Sequence, residues 1–261
     1  DAIGGISPLA ARTEAQRDAL QRALDTEAPG EYHVQLGLKH AHPMIEESVN
    51  DLAQQGFTTI IALVLAPHYS SYSIGQYVGR ATEAALPHGI TVIGIDSWAI
   101  EPAFIRFIAN DMEQKRSNMP ARTRVLFTAH SLPQRIIDGG DPYPQELHAT
   151  ATAVAKQLDM NEGTDWGIAW QSAGRTPEPW IGPDILAVLQ EIADTNSADG
   201  VVVSACGFVA DHLEVLYDLD IEAQHLAEKL GLAFARTACV NDDAEVMTAL
   251  AHRVIDAAQN H

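Results

Sequence analysis

Cysteine is nearly absent from this sequence of 261 residues, which contains only Cys206 and Cys239. Two thiols cannot form the disulfide framework of a small secreted protein, and they are too few for an iron–sulfur cluster bound by four thiolates. No hydrophobic run approaches the roughly 18 residues of a membrane-spanning helix, and the first residues lack the basic and apolar pattern of a signal peptide. The composition therefore predicts a folded protein of the cytoplasm.

Basic residues are also scarce, because 16 Lys and Arg stand against 35 Asp and Glu, for a net charge of −19. A nucleic-acid partner is disfavoured, since phosphate binding requires a basic surface, and so is charge-driven docking on an anionic membrane. The glycine-rich patterns of dinucleotide-binding and P-loop proteins do not occur, and neither does the G-x-S-x-G pattern of serine hydrolases. These absences argue against a nucleotide cofactor and against serine-hydrolase chemistry.

Hydrophobic segments rich in Val, Ile and Leu alternate along the chain with segments of helical period. Most are continuously hydrophobic, as in residues 60–65, which is typical of parallel strands covered by helices on both faces. The predicted strands are 32–38, 58–66, 90–95, 124–129, 165–171, 200–206 and 232–238. The predicted helices are 12–26, 43–55, 73–86, 101–117, 144–158, 184–195, 209–230 and 243–259. This pattern predicts a doubly wound α/β protein with mostly parallel sheets.

The polar stretch 116–121 is the predicted boundary between two halves, each with three or four β–α units. A short internal similarity supports the division, because His68 and His130 each follow a predicted strand with a hydroxyl residue nearby. We therefore predict an N-terminal half at 1–117, a C-terminal half at 118–242 and a final helix at 243–261. Asp243 or Asn241 is a suitable N-cap for that helix.

An acidic segment at 211–222 places five carboxylates and one imidazole within twelve residues. In a helix, Glu214, Asp218 and Glu222 would share one face at a spacing of four residues. Like charges at that spacing repel, whereas a row of carboxylate oxygens can pass a divalent cation along. A cation path and a solvated acidic face are both compatible with this spacing.

Four further side chains lie at predicted strand ends or in loops. His130 opens a sharp turn after a buried strand, where a neutral imidazole can accept a proton or bind a borderline metal. For a lone histidine a hydrogen bond to nearby backbone is the commoner role, and we favour that role for His40 and His68. Trp180 lies in the Gly/Pro-rich loop 171–184, where it either forms a wall for a flat ligand or holds its own loop in place.

Seven motifs, which run in order over essentially the whole chain, resemble those of one enzyme family. They are GGISPL (4–9), GLKH (37–40), LAPHYS (65–70), TAHSLP (128–133), DPYP (141–144), the WQS…GPD stretch (170–184) and GFVADHLEVLYD (207–218). The sequence resembles the ferrochelatases, and in particular the coproporphyrin ferrochelatases of Gram-positive bacteria.

The resemblance implies a lyase of haem biosynthesis that inserts Fe²⁺ into a porphyrin, here coproporphyrin III to give coproheme. Iron is then a substrate, no cofactor is required, and a downstream enzyme of the haem pathway is an expected partner. The family fold implies two Rossmann-like halves that hold the macrocycle in a cleft, with the C-terminal helix packed back on the first half. Family members carry a first strand ahead of the GGISPL motif, so we expect 1–117 to lack that strand.

The resemblance also assigns site residues. The active-site histidine and its paired acid fall on His130 and Glu214, as catalytic groups and metal ligands. The acids of a metal route or secondary divalent-metal site fall on Asp218 and Glu222, and the porphyrin contacts fall on Ser7, Tyr77 and Trp180. Which of His130 and Glu214 is base and which is ligand stays open. The alternatives are a non-catalytic porphyrin or haem carrier and a chelatase for another metal and tetrapyrrole.

Overall fold

The computed structural model describes residues 3–260, which form two compact units. The N-terminal unit comprises Thr13–Trp98 and residues 242–260, and the C-terminal unit comprises Ala99–Asn241 and the described residues up to Arg12. In chain order the helices and strands are α1 (Leu9–Glu27), α2 (Ile45–Gln54), β1 (Thr59–Leu63), α3 (Ile74–Ala85), a 3₁₀ helix (Leu86–His88), β2 (Thr91–Ile95), α4 (Pro102–Arg116), β3 (Thr123–His130), α5 (Gln134–Asp138), α6 (Tyr143–Gln157), β4 (Trp166–Gln171), α7 (Ile185–Asp194), β5 (Gly200–Ser204), a π-helix (Val215–Ala223), α8 (Gln224–Lys229), β6 (Ala233–Arg236) and α9 (Ala244–Gln259).

The C-terminal unit contains a parallel four-stranded sheet in the spatial order β4-β3-β5-β6. The apolar residues of β3 explain its central position, because Val125, Leu126 and Phe127 are at most 1% exposed. β5 is buried along its whole length, and helix α7 packs on this sheet through Leu189. Parallel strands buried on both faces agree with the doubly wound α/β fold predicted from the continuous hydrophobic runs.

Helix α4 belongs to the C-terminal unit, where it packs on α6 and β5. The units therefore divide between Trp98 and Ala99, whereas the boundary predicted from sequence lies at residue 117, just after α4. The apolar residues of α4, such as Phe104 and Ile108, are buried within this unit. Packing of this face decides which unit the helix joins, and the polar stretch that follows is a loop inside the unit.

The N-terminal unit contains a two-stranded sheet in which β1 and β2 are parallel. Helices α2 and α3 pack on each other, and α9 packs on both strands. The predicted strand at 32–38 is wrong, because residues 32–37 are extended but have no strand partner within the described residues. Only Leu38 makes an isolated bridge, to Met44. A strand needs a neighbour on its hydrogen-bonding edge, and residues 32–37 have none in the part of the chain that the structure describes.

The last helix, α9, begins at the predicted N-cap. The Asp243 carboxylate accepts hydrogen bonds from the backbone N–H groups of Glu245 and Val246, which confirms one of the two cap residues expected from sequence. Over residues 3–260, no helix is both long and apolar enough to span a membrane.

Candidate active site

His130 lies at the carboxyl end of the central strand β3, beside Gln171 at the end of β4. Ligands of open α/β sheets bind at this edge of the strands. Its Nδ1 atom is 2.5 Å from the carbonyl oxygen of Ser131. Because a carbonyl can only accept a hydrogen bond, Nδ1 carries the proton of the neutral ring, and the lone pair therefore lies on Nε2.

Gly207 allows the loop after β5 to pass directly against the end of β3. A Cβ atom at this position would lie 2.3 Å from the Cβ of Ala129, so any larger residue would clash with the strand that carries His130. The Gly207 N–H donates to the carbonyl of Thr128, which fixes the start of the loop. This close approach brings the following acidic segment to His130.

Glu214 lies between two imidazoles. Its Oε2 atom is 3.7 Å from Nε2 of His130 and 3.7 Å from Nε2 of His212. The Nδ1 atom of His212 lies 2.9 Å from the carbonyl of Ala210, so this ring also directs its Nε2 toward the carboxylate. The interaction with His212 lowers the pKa of the Glu214 carboxyl most, burial opposes that change, and the charge of His130 lowers it further.

A site that can accept protons is formed by three facing atoms, which are Oε2 of Glu214 and the Nε2 atoms of His130 and His212. In the neutral tautomers both Nε2 atoms carry a lone pair, and each points at an ionised carboxylate. A proton added to either ring converts this repulsion into a charge-assisted contact. Within the described residues, no group of three or more His, Cys, Asp or Glu side chains is arranged to hold a metal ion.

Aromatic side chains surround His130. The ring centroids of Trp180 and Phe208 lie 6.4 Å and 6.3 Å from the centroid of the imidazole. Trp180 donates to the hydroxyl of Thr176, and its ring covers Gly174, where a Cβ atom would lie 2.3 Å from it. Trp180 thus holds its own loop and also forms one side of the His130 environment, so both roles considered from sequence are compatible with the structure.

Most of the acidic segment lies in a π-helix, Val215–Ala223, where the sequence predicts an α-helix, and Glu214 is the N-cap residue of this π-helix. Its fully buried residues recur at every fourth position, at Val215, Leu219 and Ala223, and Ala227 in α8 continues the series. This strict period is longer than the 3.6 residues of an α-helix, and the wider i→i+5 turn accommodates it. Short π-helical segments are frequent at functional sites.

Asp218 and Glu222 follow Glu214 along this helix but differ in environment. The half-buried Asp218 accepts a hydrogen bond from the Ser172 hydroxyl, and Glu222 is exposed. Burial raises the pKa of Asp218, the nearby Glu214 charge adds to that rise, and the Ser172 hydrogen bond opposes it. Ser172 adopts a left-handed backbone conformation with φ of 58°, which is uncommon for a residue other than glycine.

Ser7 contacts the same segment, because its hydroxyl accepts a hydrogen bond from the backbone N–H of Leu213, next to Glu214.

Tyr77, the other residue expected to contact the porphyrin, belongs to the N-terminal unit. Its ring lies 5.3 Å from the Lys39 ammonium, and burial raises the pKa of its hydroxyl. His40 is exposed, whereas burial lowers the pKa of His68 to about 3 and keeps that ring neutral.

The sequence interpretation missed three contributors to this site. His212 was counted only as part of the acidic segment, Ser172 only as part of a loop, and Gly207 only as part of a motif. The position of His212 two residues before Glu214 does not reveal that the rings of His130 and His212 face the same carboxylate. The sequence carries no clear signal of the π-helix, because Leu216 and Ile221 are apolar as well, and the period of four is seen only in the burial of the folded chain.

Two of the five acids in segment 211–222 are ion-paired away from His130. Arg236, at the end of β6, donates to the Asp220 carboxylate from Nε and Nη2 at 2.7 and 2.9 Å, and its Nη2 lies 3.3 Å from Asp211. Asn241 also donates to Asp211 and accepts from its backbone N–H. Arg236 therefore fixes the chain on both sides of Glu214, which leaves Glu214, Asp218 and Glu222 as the acids available to a ligand.

Replacement of Arg236 by Leu is expected to lower the free energy of unfolding by about 3 kcal/mol, because it leaves two partly buried carboxylates without their cation. Arg122→Leu is the matched control, since the Arg122–Asp199 pair is half exposed and worth about 1 kcal/mol or less. Urea unfolding of both variants measures the difference. Equal losses would show that Arg236 does not organise the segment.

Comparison with known proteins places the chain in a family. A model of the ferrochelatase family matches residues 1–258. Coproporphyrin III ferrochelatase 1 of Bacillus cereus is 44% identical over 241 residues, which cover 90% of this chain and 76% of that protein. Coproporphyrin III ferrochelatase of Oceanobacillus iheyensis is 38% identical over 265 residues, which cover 100% of this chain and 84% of that protein. A protein of Herpetosiphon aurantiacus named ferrochelatase is 44% identical over 249 residues, which cover 93% of this chain and 80% of that protein.

The fold is shared with a solved structure of SirB from Bacillus subtilis with Fe³⁺. The TM-score is 0.66 at 14% sequence identity, with 94% of this chain and 90% of that chain covered. This likeness concerns the fold, whereas the family model and the sequence relatives extend over the residues of the site. On that basis the chain belongs to the ferrochelatase family.

Proposed function

We propose that this protein inserts Fe²⁺ into coproporphyrin III to give coproheme, a step of haem biosynthesis. The observation that carries the proposal is the Glu214 carboxylate held 3.7 Å from the Nε2 atoms of both His130 and His212. The similarity to curated relatives named coproporphyrin III ferrochelatase supports coproporphyrin III as the porphyrin. Iron is the substrate of this reaction.

The chemistry of metal insertion explains why such a group of bases is useful. A porphyrin must lose two pyrrole protons before its nitrogens can bind the metal, and the ferrous ion must lose its water ligands. The Nε2 lone pair of His130 can take up a proton, and Glu214 then stabilises the resulting imidazolium. Glu214 and His212 together hold a second proton. The site can therefore accept both pyrrole protons without creating a charge that lacks a partner.

The remaining residues complete the proposal. Asp218 and Glu222 form a route or secondary site for divalent metal, supported by their position along the π-helix from Glu214. Ser7, Tyr77 and Trp180 contact the porphyrin, and Trp180 is supported in this role by its position beside His130. We also propose the cytoplasm as the location, because Cys206 and Cys239 are both free thiols, as expected in a reducing compartment.

The test is anaerobic Fe²⁺ insertion followed by visible absorbance, with coproporphyrin III and protoporphyrin IX offered separately. Insertion is expected with coproporphyrin III, at a kcat/KM higher than with protoporphyrin IX. A preference for protoporphyrin IX would contradict the proposed substrate. Porphyrin binding without insertion would contradict the enzymatic assignment and favour a carrier.

A further inference from the structure

Gln171, at the carboxyl end of β4, carries a buried amide whose N–H donors are not satisfied. The residue is 1% exposed, and its register partner on β3 is His130. Its Nε2 atom is buried and has no hydrogen-bond partner among residues 3–260. Buried polar groups are almost always paired, because an unpaired donor loses its hydration and gains no bond in its place. Gln171 therefore carries a donor that the described fold does not use.

Thr128 fixes the direction of this amide. It lies two residues before His130 on β3, and alternate residues of a strand share one face of the sheet. On that face the Thr128 hydroxyl donates to Oε1 of Gln171 at 2.9 Å, in a buried hydrogen bond. Because Oε1 is held at Thr128, the Nε2 donor of the same planar amide points away from Thr128.

The Asp218 carboxylate of the π-helix is the acid on which this donor acts. Burial raises the pKa of the Asp218 carboxyl, and hydrogen-bond donation from Ser172 and Gln171 opposes that rise. The charge of His130 also lowers this pKa, so the imidazole is within reach of the same acid. Ser172 makes a complete hydrogen bond to Asp218, whereas Gln171 does not. The Gln171 donor thus lies close enough to attract a carboxylate that is bonded to Ser172.

The backbone of Ser172 brings both donors to one acid. Successive side chains of a regular strand point to opposite faces, so an extended Ser172 would point away from the face of Gln171. Ser172 instead adopts a left-handed conformation with φ of 58°, and its hydroxyl reaches Asp218. Strained conformations of this kind cluster at functional sites. Asp218 consequently has two donors from adjacent residues, one of which is bonded to it and one of which is unpaired.

We propose that Gln171 is a positioning residue for iron delivery, whose Nε2 group donates to Asp218 and holds its carboxylate on the side of His130. This role rests on the proposed insertion of iron, because it concerns the route by which the metal reaches His130. Asp218 accepts from Ser172 in the structure, and the hydrogen bond to Gln171 forms when the carboxylate turns toward His130. A donor that fixes one carboxylate oxygen leaves the other to bind a divalent cation, which is the usual role of the outer partners of metal ligands.

Gln171→Met separates this role from a structural one, because it keeps the length of the side chain and removes its polar groups. A donor kept for Asp218 adds nothing to stability, and the Thr128 hydroxyl has the Ser204 carbonyl 3.5 Å away as another acceptor. The midpoint of thermal unfolding is therefore expected to stay within about 2 °C of that of the unaltered protein.

The same variant is expected to raise KM for Fe²⁺ by about 10-fold, which corresponds to one hydrogen bond to a charged group. At saturating Fe²⁺ its kcat is expected to fall by less than about two-fold, because His130 and Glu214 are unchanged. Gln190→Met is the matched control, since the exposed Gln190 donates to Asp194 on α7, and its KM is expected to stay the same. A lower kcat together with a lower unfolding midpoint would make Gln171 structural and overturn the proposal.

Two further comparisons test whether Gln171 acts through Asp218. In the Asp218→Asn background, Gln171→Met is expected to raise KM no further, because the acid that it positions has already lost its charge. Thr128→Val, which releases Oε1, is expected to raise KM for Fe²⁺ more than Thr128→Ser, which retains the hydroxyl. Additive effects of Gln171→Met and Asp218→Asn would contradict the proposal.

Binding of Mn²⁺ to the porphyrin-free protein, followed by electron paramagnetic resonance of the free ion, tests the same contact without insertion. Gln171→Met and Asp218→Asn are each expected to weaken the tightest Mn²⁺ binding by about 10-fold, whereas Gln190→Met leaves it unchanged. If the unaltered protein inserts no iron but this pattern holds, the proposed function fails and the role of Gln171 stands. If iron is inserted and Gln171→Met alters neither KM nor Mn²⁺ binding, the function stands and the role of Gln171 fails.

Discussion

His130→Ala is expected to lose iron insertion by at least about 100-fold while porphyrin binding remains. The substitution removes the Nε2 lone pair that faces Glu214 and leaves His212 as the partner of that carboxylate among the described residues. Porphyrin binding is expected to remain, because the proposed contacts of the macrocycle come from other residues. Anaerobic Fe²⁺ insertion and fluorescence titration with metal-free coproporphyrin III measure the two quantities separately.

His148→Ala is the matched control for this experiment. His148 on helix α6 also pairs with a glutamate, since its Nε2 lies 2.9 Å from Glu162, but both side chains are about half exposed. Its insertion rate is expected to stay at the level of the unaltered protein. If His130→Ala inserts iron as fast as His148→Ala does, His130 is not catalytic. Loss of binding together with insertion would make His130 a porphyrin-binding residue.

The fold could be predicted from sequence where local pattern and tertiary environment agree. The continuous apolar run of β3 predicts a buried parallel strand, and the structure places it inside a sheet. The segment 32–38 has an equally good strand pattern, but pairing is a property of two edges, and residues 32–37 have no strand partner among the described residues. A sequence pattern can indicate that a segment prefers an extended backbone, but it cannot supply the partner that makes it a strand.

The site could be predicted in part for a similar reason. His130 follows a strand and Glu214 lies in an acidic segment, but the pairing of the two is an expectation from the family resemblance. The structure places Nε2 of His130 3.7 Å from Oε2 of Glu214. The acids of that segment are not equivalent, since Asp211 and Asp220 are held by Arg236 at the end of another strand. No spacing within the segment reveals this pairing, because Arg236 is brought to it only by the fold.

Glu214→Gln is expected to reduce kcat for iron insertion by at least about 100-fold, with a smaller change in KM. The amide keeps the size of the side chain but removes the negative charge that both imidazoles face. A protonated His130 then loses the anion that stabilises it, so uptake of the pyrrole protons becomes unfavourable. Steady-state insertion over a range of Fe²⁺ and porphyrin concentrations separates the effect on kcat from the effect on KM.

Asp218→Asn and Glu222→Gln remove a carboxylate from the same helix and are the matched comparisons for Glu214→Gln. Both are expected only to slow insertion, because the acid in contact with His130 is Glu214 and the proposed role of the other two is to conduct the metal. A loss of rate in these variants should therefore be recovered in part at higher Fe²⁺ concentration, which cannot restore a missing proton acceptor. If all three substitutions have equal and negligible effects, the acidic row is a solvated face. If excess Fe²⁺ restores Glu214→Gln as fully as it restores the other two, Glu214 serves metal delivery alone and the proton chemistry belongs to the two imidazoles.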